Sequence, residues 1–219
     1  GFGVRVLEPD GQSLSRGEER CYSYDACAPT KAAHGILDAG VDRVFFPKIL
    51  TTDSEAGGCG RTCAVEQAQP EMAGAALRAR GRTLDVVSPV LSFDTGMQSR
   101  AFSKELLAAA RALLGTEPDR ARVAAAGRAA AQAQARHQEA LLEIGRRTLD
   151  YGRAVGLPVV PVCGPLHVIH DPVINAGIPR LLRENGVLPL PMDCFPVPAD
   201  VHALPRMPWS DTRAALRTA

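Results

Sequence analysis

The sequence has few aromatic residues, little net charge and no long apolar run. Aromatic side chains make up 5% of its 219 residues, and 25 Lys and Arg residues nearly balance 24 Asp and Glu residues. The formal net charge of +1 provides no long-range field to recruit a polyanion, so we expect no nucleic-acid partner. The longest apolar runs, such as 157–166, are short and interrupted by proline or glycine. The sequence therefore predicts no membrane span, and we expect no signal peptide.

Cysteine is also sparse, with six residues in the whole chain. An apolar fraction of 46% is enough to form a core without covalent staples, so we expect reduced thiols and a cytoplasmic protein. Some of these thiols are candidates for metal binding. The sequence starts without an initiator Met, and residues 1–7 are typical of a strand already under way. We therefore expect a domain taken from a longer protein.

Apolar runs rich in β-branched residues alternate with helical patterns along the chain. The predicted strands are 41–46, 84–91, 157–162 and 187–190, and the predicted helices are 29–39, 66–80, 99–114, 118–155, 172–184 and one from 210. This alternation predicts parallel strands with right-handed crossovers, and hence an α/β fold with two doubly wound parallel-sheet lobes joined by a long helix. We assign the first lobe to 1–115, the connecting helix to 116–156 and the second lobe to 157–219.

The predicted helix at 118–155 has no internal proline and would be about 55 Å long at a rise of roughly 1.5 Å per residue. In its second half, apolar and small residues recur at spacings of three and four, which predicts one buried stripe. These residues are Leu141, Ile144, Thr148, Tyr151 and Val155. The Ala-rich first half either packs loosely, packs against an absent partner, or is an exposed spacer.

Two cysteine clusters precede predicted helices. Cys27 lies just before Pro29, a residue suited to the first turn of a helix, where the helix N-terminus stabilises a thiolate. That position is typical of a metal ligand or a reactive cysteine, or of a helix cap without further function. Cys59 and Cys63 follow a glycine-rich loop and precede the next helix. Their spacing matches neither the usual zinc ribbon nor a ferredoxin, but both clusters follow strands, at the edge where α/β sheets bind ligands.

The remaining cysteines have weaker claims. Cys194 follows the strand at 187–190 and is either a third ligand or a plain loop residue, while Cys163 is expected to be a buried small hydrophobe. The adjacent Asp193 either binds substrate or ends the strand. A structural zinc site is an alternative interpretation, with Cys27, Cys59, Cys63 and His34 as its ligands. The sequence contains no Ser/His/Asp triad and no phosphate-binding glycine loop, so we do not expect this chain itself to bind ATP.

Four blocks, in this order, resemble one family. They are CAPTKAAHG at 27–35, VDRVFFP at 41–47, CAVEQAQP at 63–70 and, after Gly164, DPVINAGIP at 171–179. Together they resemble the uncharacterised domain of large proteins related to the 2-hydroxyacyl-CoA dehydratase activases. Because the four blocks cover most of the chain, their order is more specific than any one of them.

This resemblance implies a domain akin to dehydratase subunits that hold an iron-sulfur cluster, such as a 4Fe-4S cluster, between α/β lobes. It implies an ATPase activator module, in the same or a separate chain, that passes low-potential electrons to the cluster. The implied reaction is that of a lyase or reductase acting on an acyl-CoA or related small molecule. Cys27 and Cys63 match the family's cysteine positions and are the expected iron ligands, with Cys194 as a further candidate. Candidates for contacts to cluster or substrate are Lys31, His34, Asp171 and Asn175. The alternative for His34 is a solvent-facing or core histidine, and the alternative for Asp171 and Asn175 is capping of the helix that runs to Glu184.

The sequence also departs from the family pattern. Where the family has Arg, Pro, Tyr and His after the glycine, this chain has Pro165, Leu166, His167 and Val168. We therefore expect no phosphate or substrate contact from that Arg. The departure favours an alternative in which the chain is a non-catalytic scaffold between activator and dehydratase modules.

Overall fold

The computed structural model describes residues 5–21, 23, 25–37, 43–52, 60–198, 200–201 and 207–219. Its helices are α1 (Ser13–Glu18), α2 (Ala28–Ile36), α3 (Ala64–Ala79), α4 (Arg100–Leu114), α5 (Arg120–Val155), α6 (Leu166–Ile169), α7 (Ile178–Glu184) and α8 (Ser210–Thr218). Its strands are β1 (Arg43–Phe45), β2 (Lys48–Thr51), β3 (Asp85–Val87), β4 (Val90–Ser92), β5 (Val159–Val162) and β6 (Leu188–Pro191).

The strands form short two-stranded sheets. β1 pairs in parallel with β3, β5 pairs in parallel with β6, and β2 pairs with β4. This mixture of helices and short parallel sheets confirms the α/β class. The doubly wound lobes joined by a long helix, and the boundaries at 115 and 156, stay predictions. None of the helices in the described ranges is both long and apolar enough to cross a bilayer.

The chain divides into two compact units. Unit 1 consists of residues 1–48 and 64–89, and unit 2 consists of residues 49–63 and 90–219. In unit 1, the buried Leu37, Ala73 and Leu77 form a core cluster against which partly buried apolar residues pack. Those residues are Val44, Phe46 and Leu84.

Within unit 1, α1 and α2 approach each other through glycine. A Cβ atom added at Gly17 would lie 1.6 Å from the carbonyl oxygen of Lys31, and one added at Gly35 would lie 2.0 Å from that of Ser13. Both distances are far below van der Waals contact, so only glycine permits this approach of the two backbones.

Within unit 2, α4 and α5 are bounded by clear end signals. Ser99 caps α4 by accepting a hydrogen bond from the Phe102 amide, and Asp119 caps α5 by accepting one from the Ala121 amide. The helices end at Gly115 and Gly156, which have positive φ angles of 68° and 71°. α5 is 36 residues long, and most of its Ala-rich first half is exposed.

The predicted buried stripe on α5 is wrong. Ile144, Tyr151 and Val155 are exposed, with relative accessibilities of 51%, 56% and 49%. The buried residues of α5 are instead Gly127, Gly145 and Gly152. A Cβ atom at Gly145 would lie 1.7 Å from the Cys194 carbonyl oxygen. The helix therefore packs through its glycine face, where the backbone comes closest to its neighbours, and leaves Ile144, Tyr151 and Val155 exposed.

Other departures from the predicted elements have local causes. α1 and β2 were not predicted, because both are short. The strand predicted at 84–91 is divided into β3 and β4 at Ser88 and Pro89. The helix predicted at 172–184 begins only at Ile178, because Ala176 and Gly177 have positive φ angles of 53° and 70°.

Candidate functional site

Cys27 is the N-cap residue of α2 and is exposed to solvent. Its Sγ atom lies 3.1 Å from the Oγ1 atom of Thr30. Thr30 is only 1% exposed, and its hydroxyl also accepts a hydrogen bond of 3.4 Å from Nε2 of Gln69 on α3. An accessible thiol thus lies above a buried polar pair that links two helices of unit 1.

Lys31 and His34 lie further along α2. The Lys31 ammonium forms an ion pair with Glu18 of α1 at 3.2 Å. The His34 side chain is buried, and this burial, together with the positive charge of Arg80, lowers its pKa. The structure places Lys31 in an ion pair between α1 and α2 and buries His34 in unit 1, while their roles toward a cluster or substrate stay predictions.

Cys63 directly precedes α3 and is exposed. The neighbouring Thr62 is buried, and its hydroxyl lies within hydrogen-bonding distance of the main-chain carbonyl groups of Ile49 and Leu50. These contacts fix Thr62, the residue before Cys63, against β2. Cys59 lies outside the described residues, so the alternative zinc site is described only in part.

Cys194 differs from Cys27 and Cys63 because it is buried, at the end of a short 3-10 helix that follows β6. Burial first, and then the charge of Asp193, raises the pKa of its thiol to about 11. Metals bind the thiolate, which this environment disfavours in the metal-free protein, and the role of Cys194 as a ligand stays a prediction. Cys163, which was expected to be buried, is exposed, so that prediction is wrong.

Asp171 and Asn175 organise the turn between α6 and α7. The Asp171 carboxylate accepts hydrogen bonds from the amides of Val173 and Ile174 at 2.8 and 2.9 Å. The side-chain oxygen of Asn175 accepts a hydrogen bond from the Gly177 amide at 2.9 Å. Both residues therefore stabilise the local backbone, and their predicted contact with cluster or substrate stays a prediction.

Sequence reasoning missed one pair of side chains. Nε2 of His170 lies 2.9 Å from each carboxylate oxygen of Asp193. The sequence did contain a signal, because both residues follow strands that end at the same edge of a parallel sheet. That pattern pointed only to Asp193, since a short helix separates His170 from β5.

Cys thiolates are the usual ligands of iron-sulfur clusters, and the thiols of Cys27 and Cys63 are both exposed. Among the residues that the structure describes, however, no three His, Cys, Asp or Glu side chains are grouped so that they could hold a metal ion. The described residues therefore provide individual donors of the right type without completing a ligand set.

Taken together, the helices, short parallel sheets and accessible thiols define an α/β domain with cysteines at the ends of its elements. The family model described as the CoA enzyme activase uncharacterised domain matches residues 1–195. The chain belongs to this family, which confirms the resemblance found in the four sequence blocks. No curated protein and no solved structure matches the chain.

Proposed function

We propose that this domain contributes the thiolates of Cys27 and Cys63 to an iron-sulfur cluster in a CoA enzyme activase system. The observation that carries the proposal is the exposed Cys27 thiol, held at the start of α2 by the buried Thr30 and lying within the residues that match the family. The remaining ligands come from outside the described residues, in this chain or in a partner.

Such a cluster, when bound, supplies a centre that takes up one electron at low potential. The residues of this chain have a simpler task. The hydroxyl of Thr30 fixes the position of the Cys27 sulfur, and Gln69 in turn fixes that hydroxyl. Oriented donors of this kind set the direction in which a thiolate ligand points.

The family name also supports an activator partner. We propose an ATPase activator module as the electron donor and an acyl-CoA or related small molecule as the substrate of the complete system. The domain is then one component of a cytoplasmic lyase or reductase. Isothermal titration calorimetry with coenzyme A tests the substrate class. We expect the heat of binding to saturate at one coenzyme A per chain.

Anaerobic reconstitution with iron and sulfide tests the cluster. The bound iron and acid-labile sulfide should be lost in Cys27→Ser and in Cys63→Ser. They should remain in Cys163→Ser, a matched control at another exposed cysteine. Iron and sulfide retained in both test variants would contradict the assignment.

The same analysis separates the alternatives. Zinc bound at one ion per chain would indicate the structural zinc site. Folded protein that stays free of metal even when it is reconstituted together with its activator module would indicate the scaffold, because the cysteines would then have no redox role.

A further inference from the structure

His170 and Asp193 meet at the carboxyl edge of the β5–β6 sheet. The two strands are parallel, and their last residues, Val162 and Pro191, are directly paired, so both strands end at the same level. His170 follows β5 through the short helix α6, and Asp193 lies in the turn just after β6. This edge is where open α/β sheets bind their ligands.

Both turns that carry the pair are anchored in unit 2. Asp193 is flanked by Met192 and Cys194, each only 4% exposed, and the carbonyl of Cys194 abuts Gly145 of α5. On the other side, the His170 amide bonds to the carbonyl of Leu166 and the preceding Ile169 is buried. The two side chains are therefore held by fixed backbone, as a reacting group requires.

The two partners differ in exposure. The side chain of Asp193 is 19% exposed and that of His170 is 43% exposed. A carboxylate only accepts hydrogen bonds, so Nε2 of His170 carries the proton that it shares with Asp193. The other ring nitrogen, Nδ1, is then the basic atom of the imidazole. Asp193 thus fixes the orientation of the imidazole ring from its less exposed side, and solvent reaches the rest of the ring.

An apolar surface accompanies the ring. Leu166 lies four residues before His170, so both side chains lie on the same face of one helical turn. Leu166 is 41% exposed, although it is a large apolar residue. A base that is oriented by a carboxylate beside a small apolar surface matches the needs of acyl hydrolysis, in which an imidazole activates the attacking group.

We propose that His170 and Asp193 form a general-base site that hydrolyses a small ester or thioester. Nδ1 of His170 takes a proton from a water molecule as the water oxygen bonds to the acyl carbon. The bond from that carbon to the leaving oxygen or sulfur then breaks, and the proton passes from Nδ1 to the leaving group. Asp193 is the positioning residue, and Leu166 contacts the acyl chain. The site does not depend on the proposed cluster.

Hydrolysis of p-nitrophenyl acetate by the whole chain tests the proposal, after accessible thiols have been blocked with N-ethylmaleimide. The rate should fall at least about tenfold in His170→Gln and in Asp193→Asn, as expected for loss of general-base catalysis. Leu166→Ala should raise KM with little change in kcat. His137→Gln, at an exposed histidine of α5, should hydrolyse the ester like the unaltered protein.

A wild-type rate in His170→Gln would overturn the proposal. A wild-type rate in Asp193→Asn would overturn the positioning role of Asp193. It would show that the contact between Asp193 and His170 supports only the local structure and not the reaction. Circular dichroism shows whether each variant is folded.

A measurement on the unaltered protein keeps the proposal testable if the variants do not fold. Diethyl pyrocarbonate modifies basic imidazole nitrogens, and peptide mass spectrometry resolves His170 from His137. His170 should react at least about threefold faster because Asp193 orients the ring and, by holding the proton on Nε2, leaves Nδ1 open to the reagent. Equal or slower reaction of His170 would contradict the inference. Neither outcome bears on iron binding, so failure here is distinct from failure of the proposed cluster.

Discussion

The surroundings of Cys27 in unit 1 and of Cys194 in unit 2 give the same side chain opposite properties. Cys27 is exposed at a helix start, and a buried hydroxyl lies beneath its sulfur. Cys194 is buried after a strand, and the backbone of α5 lies against its carbonyl at Gly145. The packing behind each cysteine, rather than its place beside a helix or strand, therefore decides whether solvent reaches the thiol.

Gly145→Ala should disrupt the packing at Cys194 most strongly. The new Cβ atom would lie 1.7 Å from a backbone oxygen, which cannot move as a side chain can, so we expect a loss of about 3 kcal/mol in the free energy of unfolding. Urea denaturation followed by circular dichroism measures it.

Gly127→Ala is the matched control on the same helix. Its Cβ atom would meet only the tip of the Leu106 side chain, at 2.9 Å, and alanine favours a helix by about 1 kcal/mol over glycine. We expect little change in stability. Equal losses in the two variants would show that backbone contact at Cys194 is not what fixes α5.

The difference between the two thiols should appear directly in their alkylation rates. With a pKa of about 11, Cys194 has only about 0.1% thiolate near pH 8, and its burial slows attack further. Iodoacetamide should therefore modify Cys27 more than about 100-fold faster, as followed by peptide mass spectrometry. In urea the two rates should converge. Similar rates in the folded protein would remove the distinction on which the ligand assignment depends.

Thr30→Val should weaken the support beneath Cys27. The substitution keeps the shape of the side chain but removes the hydroxyl that Cys27 and Gln69 contact. Leaving the buried amide of Gln69 without this acceptor should cost about 2 kcal/mol in unfolding free energy. Thr116→Val, at an exposed position, should change stability by less than about 0.5 kcal/mol. A neutral Thr30→Val would show that the polar pair does not hold α2 and α3.

Acid should destabilise the protein through His34. Its pKa is lowered in the folded state by burial, so below the unfolded value of 6.5 the unfolded chain binds the proton more readily. Stability should therefore decline as the pH falls from 7 toward 5, by no more than about 1.4 kcal/mol per pH unit for one proton. His34→Gln should flatten this dependence, whereas His137→Gln should leave it unchanged. Chemical denaturation at a series of pH values tests both.

Much of the local structure could be predicted because the end signals are short-range. The strand at β5, the helix ends at Gly115 and Gly156, and the position of Cys27 before α2 all depend on residues within one turn or one strand of each other. The α/β class followed from the same alternation. The exposure of each cysteine was harder to predict, because it depends on residues that are distant in the sequence, such as Gly145.

The buried face of α5 could not be read from its hydrophobic pattern. Periodicity counts large apolar side chains, so it selected the face with Ile144 and Tyr151. The structure buries Gly145 and Gly152, because contact there is made by the main chain. The pairing of His170 with Asp193 was missed for a related reason: it depends on two turns that lie 23 residues apart in sequence.

Gly17, Gly35 and Gly145 should tolerate almost no substitution. At each of them a single methyl group would overlap a backbone oxygen, and no rotamer change can relieve that overlap. In a library of random substitutions selected only for folded protein, these three codons should return almost nothing but glycine. The exposed large residues of α5 should, by contrast, accept most replacements. The tolerance of a position to mutation would then depend on how closely another backbone approaches it, rather than on the size of its own side chain.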